Sequence, residues 1–299
     1  MTKQISRIFF AKRALCMTDN QAKIGIMAMA ATAFLWSIAG LFIKVIDWNP
    51  YAIAGLRSFI ASFVLLIYLK KPQFTFSFPQ IAAAAANAIT MLLFVVANKE
   101  TTAANAILLQ YVAPIFTAFI GAILLKEQAR IEHWLGFIIA SIGMIIMFMG
   151  KLSGGQMLGN ILSLSSAVTF SLFFVFMRMQ KNDSPFESIL LSHWIIAGIC
   201  LIISFFIPVP DFTVQSIGAI VILGVIQLGI TSILFVVAIK RITAISANLI
   251  AIIEPVFNPL WVFIVLNESP GINSIIGGII IVSAVTAVSI ISNRRNSTT

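Results

Sequence analysis

Glu254 is the residue in this sequence best placed to do chemistry. It stands in Ile253-Glu254-Pro255-Val256-Phe257-Asn258-Pro259, inside an otherwise apolar run. Counted from the start of that run it lies about twelve residues in, or about 18 Å along a helix, close to the midplane of a bilayer. An ionised carboxylate there costs about 2.5–3.5 kcal/mol on insertion scales, so it should carry its charge only when a wet cavity or a cationic ligand reaches it. That suits two chemistries, holding a substrate cation and carrying a proton. Pro255 and Pro259 each leave a backbone carbonyl without its helical partner and permit a bend. Glu254, Phe257 and Trp261 share a helix face with Asn258 beside them. The competing expectation is a carboxyl that only hydrogen-bonds a neighbouring helix and holds the bundle together.

Arg57 is the second charge well inside an apolar run, about seven residues from its outer end. Its stem is expected to snorkel, carrying the head toward the outer interface or a cavity. There it would anchor a substrate carboxylate, pair with Glu254, or form a salt bridge on the outer side. His193, placed by the sequence near the cytoplasmic end of its run, is a candidate proton relay, with a satisfied interfacial histidine as the alternative. Trp36, Tyr111, Phe170, Trp194, Phe257 and Trp261 add aromatic rings, which beside a carboxylate suit a cationic or aromatic ligand. With 25 Phe in the chain, packing and lipid contact compete with that reading. Asn87, Asn98, Asn105, Gln110, Gln227, Thr231 and the Ser163-Ser166-Thr169 series mark polar faces that either line a central cavity or join helices to one another.

Enzyme chemistry has no comparable support. There is no Walker A loop, HExxH, GxSxG or GxGxxG in the sequence. Cys16 and Cys200 form no CxxC and no Cys/His cluster that suggests a metal site, so no metal and no cofactor is expected.

The elements that must position these residues are membrane helices. Hydrophobic types make up 60% of the 299 residues and charged types 10%, with a mean hydropathy of +1.05. An ordinary soluble domain has about 25% charged residues. This chain cannot cover a water-facing surface, which excludes a soluble enzyme, a disordered protein and a nucleic-acid-binding domain. Ten apolar runs are long enough to cross a bilayer, at roughly 24–46, 50–69, 78–98, 101–125, 131–150, 157–179, 186–207, 213–239, 243–266 and 272–292. The first run is too long for a cleaved signal and passes directly into the second. Residues 1–23 and 293–299 are expected as cytoplasmic tails, with Met17 a second plausible start and an interfacial amphipathic helix a further option for residues 5–17.

With the N-terminus inside, Lys44, Lys99 and Lys151 fall outside and Arg57 within a span, while all the other Lys and Arg face the cytoplasm. The formal charge of +9 is therefore a topology signal toward an anionic leaflet.

The chain also repeats itself. Phe94-Val-Val-Ala-Asn-Lys-Glu-Thr-Thr-Ala corresponds to Phe235-Val-Val-Ala-Ile-Lys-Arg-Ile-Thr-Ala. Pro114, Phe116, Leu125, Glu127 and Gly136 correspond to Pro255, Phe257, Leu266, Glu268 and Gly277. Earlier in each half Trp36 corresponds to Phe170, Lys44 to Arg178 and Arg57 to Ser192, and Ala113 stands where the second half has Glu254. The halves are 24–150 and 157–292. Each has five spans, and an odd number inverts the second half in the membrane. The expected fold is an all-α polytopic membrane protein of ten transmembrane helices in two inverted five-helix repeats, in which one central site can face either side in turn. Gly136 with Ala140, and Gly277 with Gly278, mark close packing of the fifth and tenth spans, as support or at a dimer contact.

Tyr111-Val-Ala-Pro114-Ile-Phe with Leu125-Lys-Glu127, and Ile253-Glu254-Pro255-Val-Phe with Leu266-Asn-Glu268, resemble the drug/metabolite transporter superfamily, EamA type, over about residues 24–292. The resemblance implies transport of amino acids, nucleosides, vitamins, quaternary amines or similar small metabolites, often outward and often in exchange for protons. The resulting expectation is a secondary transporter in the cytoplasmic membrane, moving an amino acid, a related amine or a similar metabolite by alternating access, with proton-coupled export as one option. Its substrate-binding candidates are Trp36, Arg57, Tyr111, Phe170, Glu254, Phe257 and Asn258, and its proton-coupling candidates Glu254 and His193. Its partners are the small molecule, the lipid bilayer and, under that option, protons, with no nucleic acid, as a monomer or homodimer. An uncoupled channel or a membrane scaffold is the alternative.

Overall fold

A computed structural model describes residues 20–39, 42, 46–101, 103–149, 157–206, 208, 211–257, 261, 264 and 271–296, with the side chains of 98, 99, 103, 104 and 294–296 excepted. Residues 1–19 with Met17, and Lys44, Lys151, Asn258, Pro259 and Glu268, lie outside the described residues, as does the side chain of Asn98. The described residues are helical and contain no strand. This agrees with an all-α polytopic membrane protein of ten spans in two inverted repeats. Seven helices are long and apolar enough to cross a membrane: Pro50–Leu69, Phe78–Ala97, Asn105–Leu124, Met157–Met179, Pro185–Ser204, Val214–Ile239 and Ile272–Asn293. Two shorter apolar helices, Ile131–Met147 and Ala244–Phe257, form the fifth and ninth spans. The first span is helical over residues 20–36.

Local chemistry sets where these helices begin. Pro50 stands in the first turn of the second span, where its missing N–H costs nothing, and the Asn49 side chain accepts a hydrogen bond from the Tyr51 N–H at 3.0 Å. Thr213 and Thr243 cap the eighth and ninth spans in the same manner, each accepting from the N–H three residues on.

The polar contacts between helix ends sort into two groups, as alternating spans require. At one end Gln80 Nε2 donates to Ser184 Oγ at 2.7 Å, Arg241 Nε to Gln21 Oε1 at 2.8 Å, and Arg178 Nε to Glu127 Oε1 at 2.8 Å. At the other end Trp48 Nε1 donates to the Asp211 carbonyl at 2.8 Å and Thr101 Oγ1 to Asn160 Oδ1 at 3.1 Å. Between them lies an apolar flank that a water-soluble protein would hide. Phe59, Phe63 and Ile67 stand on one exposed face of the second span, and Ile138, Ile142 and Ile145 are exposed on the fifth.

The fourth and ninth spans are broken at equivalent places. In the fourth, Ala103–Gln110 and Ala113–Leu124 are separated by a turn at Tyr111 and Val112. In the ninth, Ala244–Ala251 is followed by a turn at Ile252 and Ile253 before helix resumes at Glu254. Hydrogen bonds tighten to three-residue spacing at matching positions. The Val112 N–H donates to the Leu109 carbonyl and that of Ile115 to Val112; the Ile253 N–H donates to Ile250 and that of Val256 to Ile253. The cause is in the sequence, because Pro114 and Pro255 cannot donate to the carbonyl four residues back and their rings crowd it.

The fifth and tenth spans pack along each other through glycine. A Cβ added at Gly277 would strike the Gly143 carbonyl oxygen and stand 2.7 Å from Met147 Cβ. The small residues expected at a support or dimer contact are thus used between two helices of one chain, where close van der Waals packing holds membrane helices together. Gly277→Val is expected to destabilise the folded protein by about 1–3 kcal/mol, the usual cost of overpacking. The check is a lower melting temperature in detergent by size-exclusion fluorescence, with Ser283→Val on the exposed face of the same helix as the unaffected control.

Candidate functional site

The two helix breaks face each other. Tyr111, from the turn in the fourth span, is buried at 3% exposure, and its hydroxyl donates to Glu254 Oε2 at 2.6 Å. A short hydroxyl–carboxyl contact across 143 residues of sequence therefore ties the centre of one repeat to the centre of the other. Both residues sit where the backbone leaves regular helix, so both carry groups that a straight helix would point elsewhere.

Tyr111 belongs to the buried core that holds Phe173, Phe174 and Phe235, with Trp36 and Phe170 packed against that core. Trp36 meets its repeat mate Phe170 at 6.2 Å between ring centroids and Phe235 at 5.9 Å. Phe173 stacks on Phe235 at 5.0 Å. Phe257 meets Phe34 edge-on at 4.9 Å, and Trp261 lies 5.1 Å from Phe34 while its indole N–H donates to Ser37 Oγ at 2.8 Å. The first, sixth and eighth spans thus share one aromatic cluster, and the first and ninth another. The sequence alone does not single out Phe34 or Phe235. Phe235 carries a usable signal, since it opens the duplicated Phe-Val-Val-Ala motif, whereas Phe34 has none beyond its place one turn before Ser37-Ile38. Trp194 is on the outer surface, 40% exposed and packed on Phe74, away from these rings.

Arg57 departs from its expected position. Rather than snorkelling to the interface, it is 8% exposed, and its Nε is shielded with no hydrogen-bond partner among the described residues. The reason is the helix beside it. Within the eighth span, Leu223–Ile230 is wound as a π-helix, and Gly224 brings that backbone against the second span. A Cβ built there would lie 3.1 Å from the Arg57 carbonyl and 2.5 Å from Ile60 Cβ. Thr231 Oγ1 donates to the Leu228 carbonyl at 3.0 Å and also to the Gln227 carbonyl, satisfying acceptors the wider winding leaves loose. His193 also differs from expectation. It lies nine residues into its helix, about 12 Å from the end, fully enclosed instead of at the cytoplasmic interface, with Nε2 3.4 Å from Ser232 Oγ.

Other polar residues are joined in pairs. Asn87 Nδ2 donates to Ser192 Oγ at 2.8 Å, Gln110 Nε2 to Ser166 Oγ at 2.9 Å, and Asn248 Nδ2 to Thr117 Oγ1 at 2.7 Å. These bonds join helices, the simpler of the two expectations for this polar set. Among the described residues no group of three or more His, Cys, Asp or Glu converges as a metal site would require.

At the end where the fourth, sixth and eighth spans finish, one ion pair joins four spans. Arg178 Nε donates to Glu127 Oε1 at 2.8 Å and its Nη1 to the Ile239 carbonyl at 2.8 Å, while Glu127 Oε2 accepts from the Ala244 N–H at 3.1 Å. A cavity of about 120 Å³ opens beside it, lined by Arg241, Thr243, Ser246 and Ser292 among others, and does not include Glu254, Tyr111 or Arg57.

Comparison with known proteins supports this architecture. The EamA-like transporter family model matches twice, over residues 23–149 and 157–290. The chain is 23% identical over 274 residues to an uncharacterized transporter of Archaeoglobus fulgidus, covering 90% of this chain and 96% of the relative. It is 20% identical to the uncharacterized transporter YoaV of Bacillus subtilis, covering 85% and 93%. It is 24% identical to an uncharacterized transporter of Methanothermobacter thermautotrophicus, covering 85% and 75%. A crystal structure 20% identical in sequence superposes with a TM-score of 0.76 over 91% of this chain and 98% of the other.

Proposed function

The chain belongs to the EamA-like transporter family, and from that premise we propose that it is a secondary transporter of the cytoplasmic membrane that exports a small amine-bearing metabolite in exchange for protons. Both termini are cytoplasmic in this reading, which rests on the distribution of Lys and Arg between the two faces. The 24–150 and 157–292 halves act as its two moving bodies. The observation that carries it is the bond from Tyr111 to Glu254, made where the broken spans of the two repeats meet.

The mechanism follows from the cost of a buried charge. Glu254 is partly buried where the two repeats meet, and an ionised carboxylate at that point of a span needs a wet opening or a partner. The proton and the substrate ammonium are alternative partners for the same oxygen atoms, so occupancy by one excludes the other. Movement of the halves presents Glu254 to one side and then to the other. The titratable group that the structure shows in contact with it is Tyr111 from the fourth span. Trp36 and Phe170 supply ring faces suited to a cation or an apolar side chain.

Efflux of labelled amines and amino acids from proteoliposomes, with and without a pH gradient across the bilayer, tests this. Gradient-dependent movement of at least one amine-bearing compound is expected, and movement indifferent to the gradient across the panel contradicts it. Within that assay Trp36→Ala should raise the half-saturation concentration by about tenfold, the scale of one lost aromatic–cation contact of about 1–2 kcal/mol. Melting temperature should change little, because Trp36 is only partly buried. Wild-type kinetics in Trp36→Ala would assign the ring to packing.

A further inference from the structure

We propose that the cavity at the Arg178–Glu127 end of the bundle binds the phosphate headgroup of an anionic phospholipid, with Arg241 as its charged contact. The cavity measures about 120 Å³, several times the room that one water needs. It lies between the first, ninth and tenth spans, and its lining is divided by chemistry. Arg241, Thr243, Ser246 and Ser292 give it polar groups, whereas Leu249 and Val288 give it apolar ones. On the tenth span Ile290 and Ile291, beside the cavity in sequence, are exposed as lipid-facing side chains would be. An amphiphile entering from the bilayer thus meets a polar pocket at the ends of the helices, where headgroups lie, and an apolar flank for its chains.

The two arginines of the pocket differ in what they need. Arg178 is neutralised by Glu127, whose second oxygen is taken by the Ala244 N–H. Arg241 is half-buried and held by neutral groups: its Nε donates to Gln21 Oε1 and its Nη1 to the Val237 carbonyl, both at 2.8 Å. Among the described residues it makes no ion pair. Those bonds fix the guanidinium at the cavity and leave its Nη2 for an incoming oxygen. A partly desolvated cation without a counter-ion favours an anion there.

Ser246 supplies a second donor by a separate argument. His133 Nδ1 accepts from the Arg130 N–H at 3.0 Å, so the ring carries its proton on Nε2, which stands 3.3 Å from Ser246 Oγ and donates to it. Thr243 Oγ1 donates to the same oxygen at 2.8 Å. With both lone pairs of Ser246 Oγ taken, its hydroxyl acts as a donor, and no acceptor for it is found among the described residues. The fold itself does not demand this set. In the duplicated stretch Glu100 stands where the second half has Arg241, and Asn105 where it has Ser246. The cation is therefore present only at the end that the Lys and Arg distribution assigns to the cytoplasm, which faces the anionic leaflet.

Delipidated protein in a non-ionic detergent, titrated with phosphatidylglycerol, phosphatidylcholine or inorganic phosphate, tests this by native mass spectrometry and melting temperature. Phosphatidylglycerol is expected to fill one site per chain, to raise the melting temperature, and to be preferred over phosphatidylcholine by about fivefold, the share of one arginine in attracting an anionic lipid. Arg241→Gln should remove that preference. Lys240→Gln, which deletes the neighbouring cation placed over the Phe186 ring and outside the cavity lining, should keep it. Wild-type protein that holds both lipids equally overturns the proposal and needs no variant to fold. A preference that survives Arg241→Gln, or that Lys240→Gln lowers as much, overturns it too, since the attraction is then the general field of a basic face. If inorganic phosphate gives the whole melting shift and phosphatidylglycerol adds nothing, the pocket takes a soluble anion and the lipid assignment falls. The assay involves no transported compound, so its outcome is independent of the reading of Glu254.

Discussion

Glu254→Gln is expected to abolish substrate accumulation driven by a pH gradient while leaving substrate-for-substrate exchange measurable. The variant keeps the size of the side chain and its acceptor for the Tyr111 hydroxyl, which stands 2.6 Å from Oε2. What it removes is the ability to bind and release a proton, together with the charge that attracts the substrate ammonium, so exchange should persist only with a raised half-saturation concentration. A coupled exporter needs that step once per cycle to return empty. Exchange does not, because the carrier returns loaded. The loss should be complete in the driven assay, since no other acid takes part in the described contacts around the break. Tyr111→Phe is the companion. It deletes one hydrogen bond to a carboxyl, worth about 1.5–3 kcal/mol, and should alter the pH dependence of transport while retaining coupling. If Glu254→Gln accumulates substrate with the wild-type pH response, Glu254 is a structural tie between the repeats and coupling lies elsewhere.

Arg178→Gln is expected to open the end of the protein at which the Glu127 pair sits. Arg178 and Glu127 side chains are 11% and 20% exposed. Breaking a fully buried pair by removing one partner costs about 3–5 kcal/mol, and partial exposure reduces that figure here. Even about 1.4 kcal/mol changes a two-state ratio tenfold. The guanidinium bonds tie the sixth span to Glu127 at the end of the fourth and to the Ile239 carbonyl ending the eighth, and without them Glu127, which caps the ninth at Ala244, is unseated. These are the broken spans and their neighbours, so the state that keeps this end shut is weakened most. Ser246→Cys, in a background with Cys16 and Cys200 replaced, places a thiol in the adjoining cavity. Its reaction with an impermeant maleimide in inside-out vesicles should rise by about tenfold in Arg178→Gln. The swap Arg178→Glu with Glu127→Arg should bring it back toward the wild-type rate. Unchanged labelling in Arg178→Gln would mean that the pair fastens a face that does not move.

The sequence makes some of this legible and hides the rest for identifiable reasons. The spans can be found because hydrocarbon accepts only long apolar helices, and the inversion because Phe94-Val-Val-Ala and Phe235-Val-Val-Ala stand an odd number of spans apart. The prolines at 114 and 255 announce both breaks. Tyr111 and Glu254 each stand out on their own, but their bond does not, since helices distant in sequence carry no local signal of which faces meet. Arg57 is more enclosed than a snorkelling side chain because counting residues from a span's end assumes lipid around it. The real neighbour is the π-helical stretch at Gly224, whose winding no propensity announces. His193 is displaced from its expected depth for a related reason, since the helix start at Pro185 and the packing against Ser232 set its position. The paired glycines of the fifth and tenth spans can be read as a packing motif, but the sequence does not say whether the partner is in the same chain.

The central claim is that one site, at the junction of the two repeats, is exposed to each side in turn. Counterflow measures this most directly. Proteoliposomes loaded with an unlabelled carried metabolite should draw in trace labelled metabolite against its gradient, faster than empty ones and transiently above the outside concentration. That overshoot requires a carrier that returns loaded, and Glu254→Gln should still show it. Uptake that rises only to the outside concentration, at a rate indifferent to internal substrate, is the behaviour of an open pore and would contradict the account.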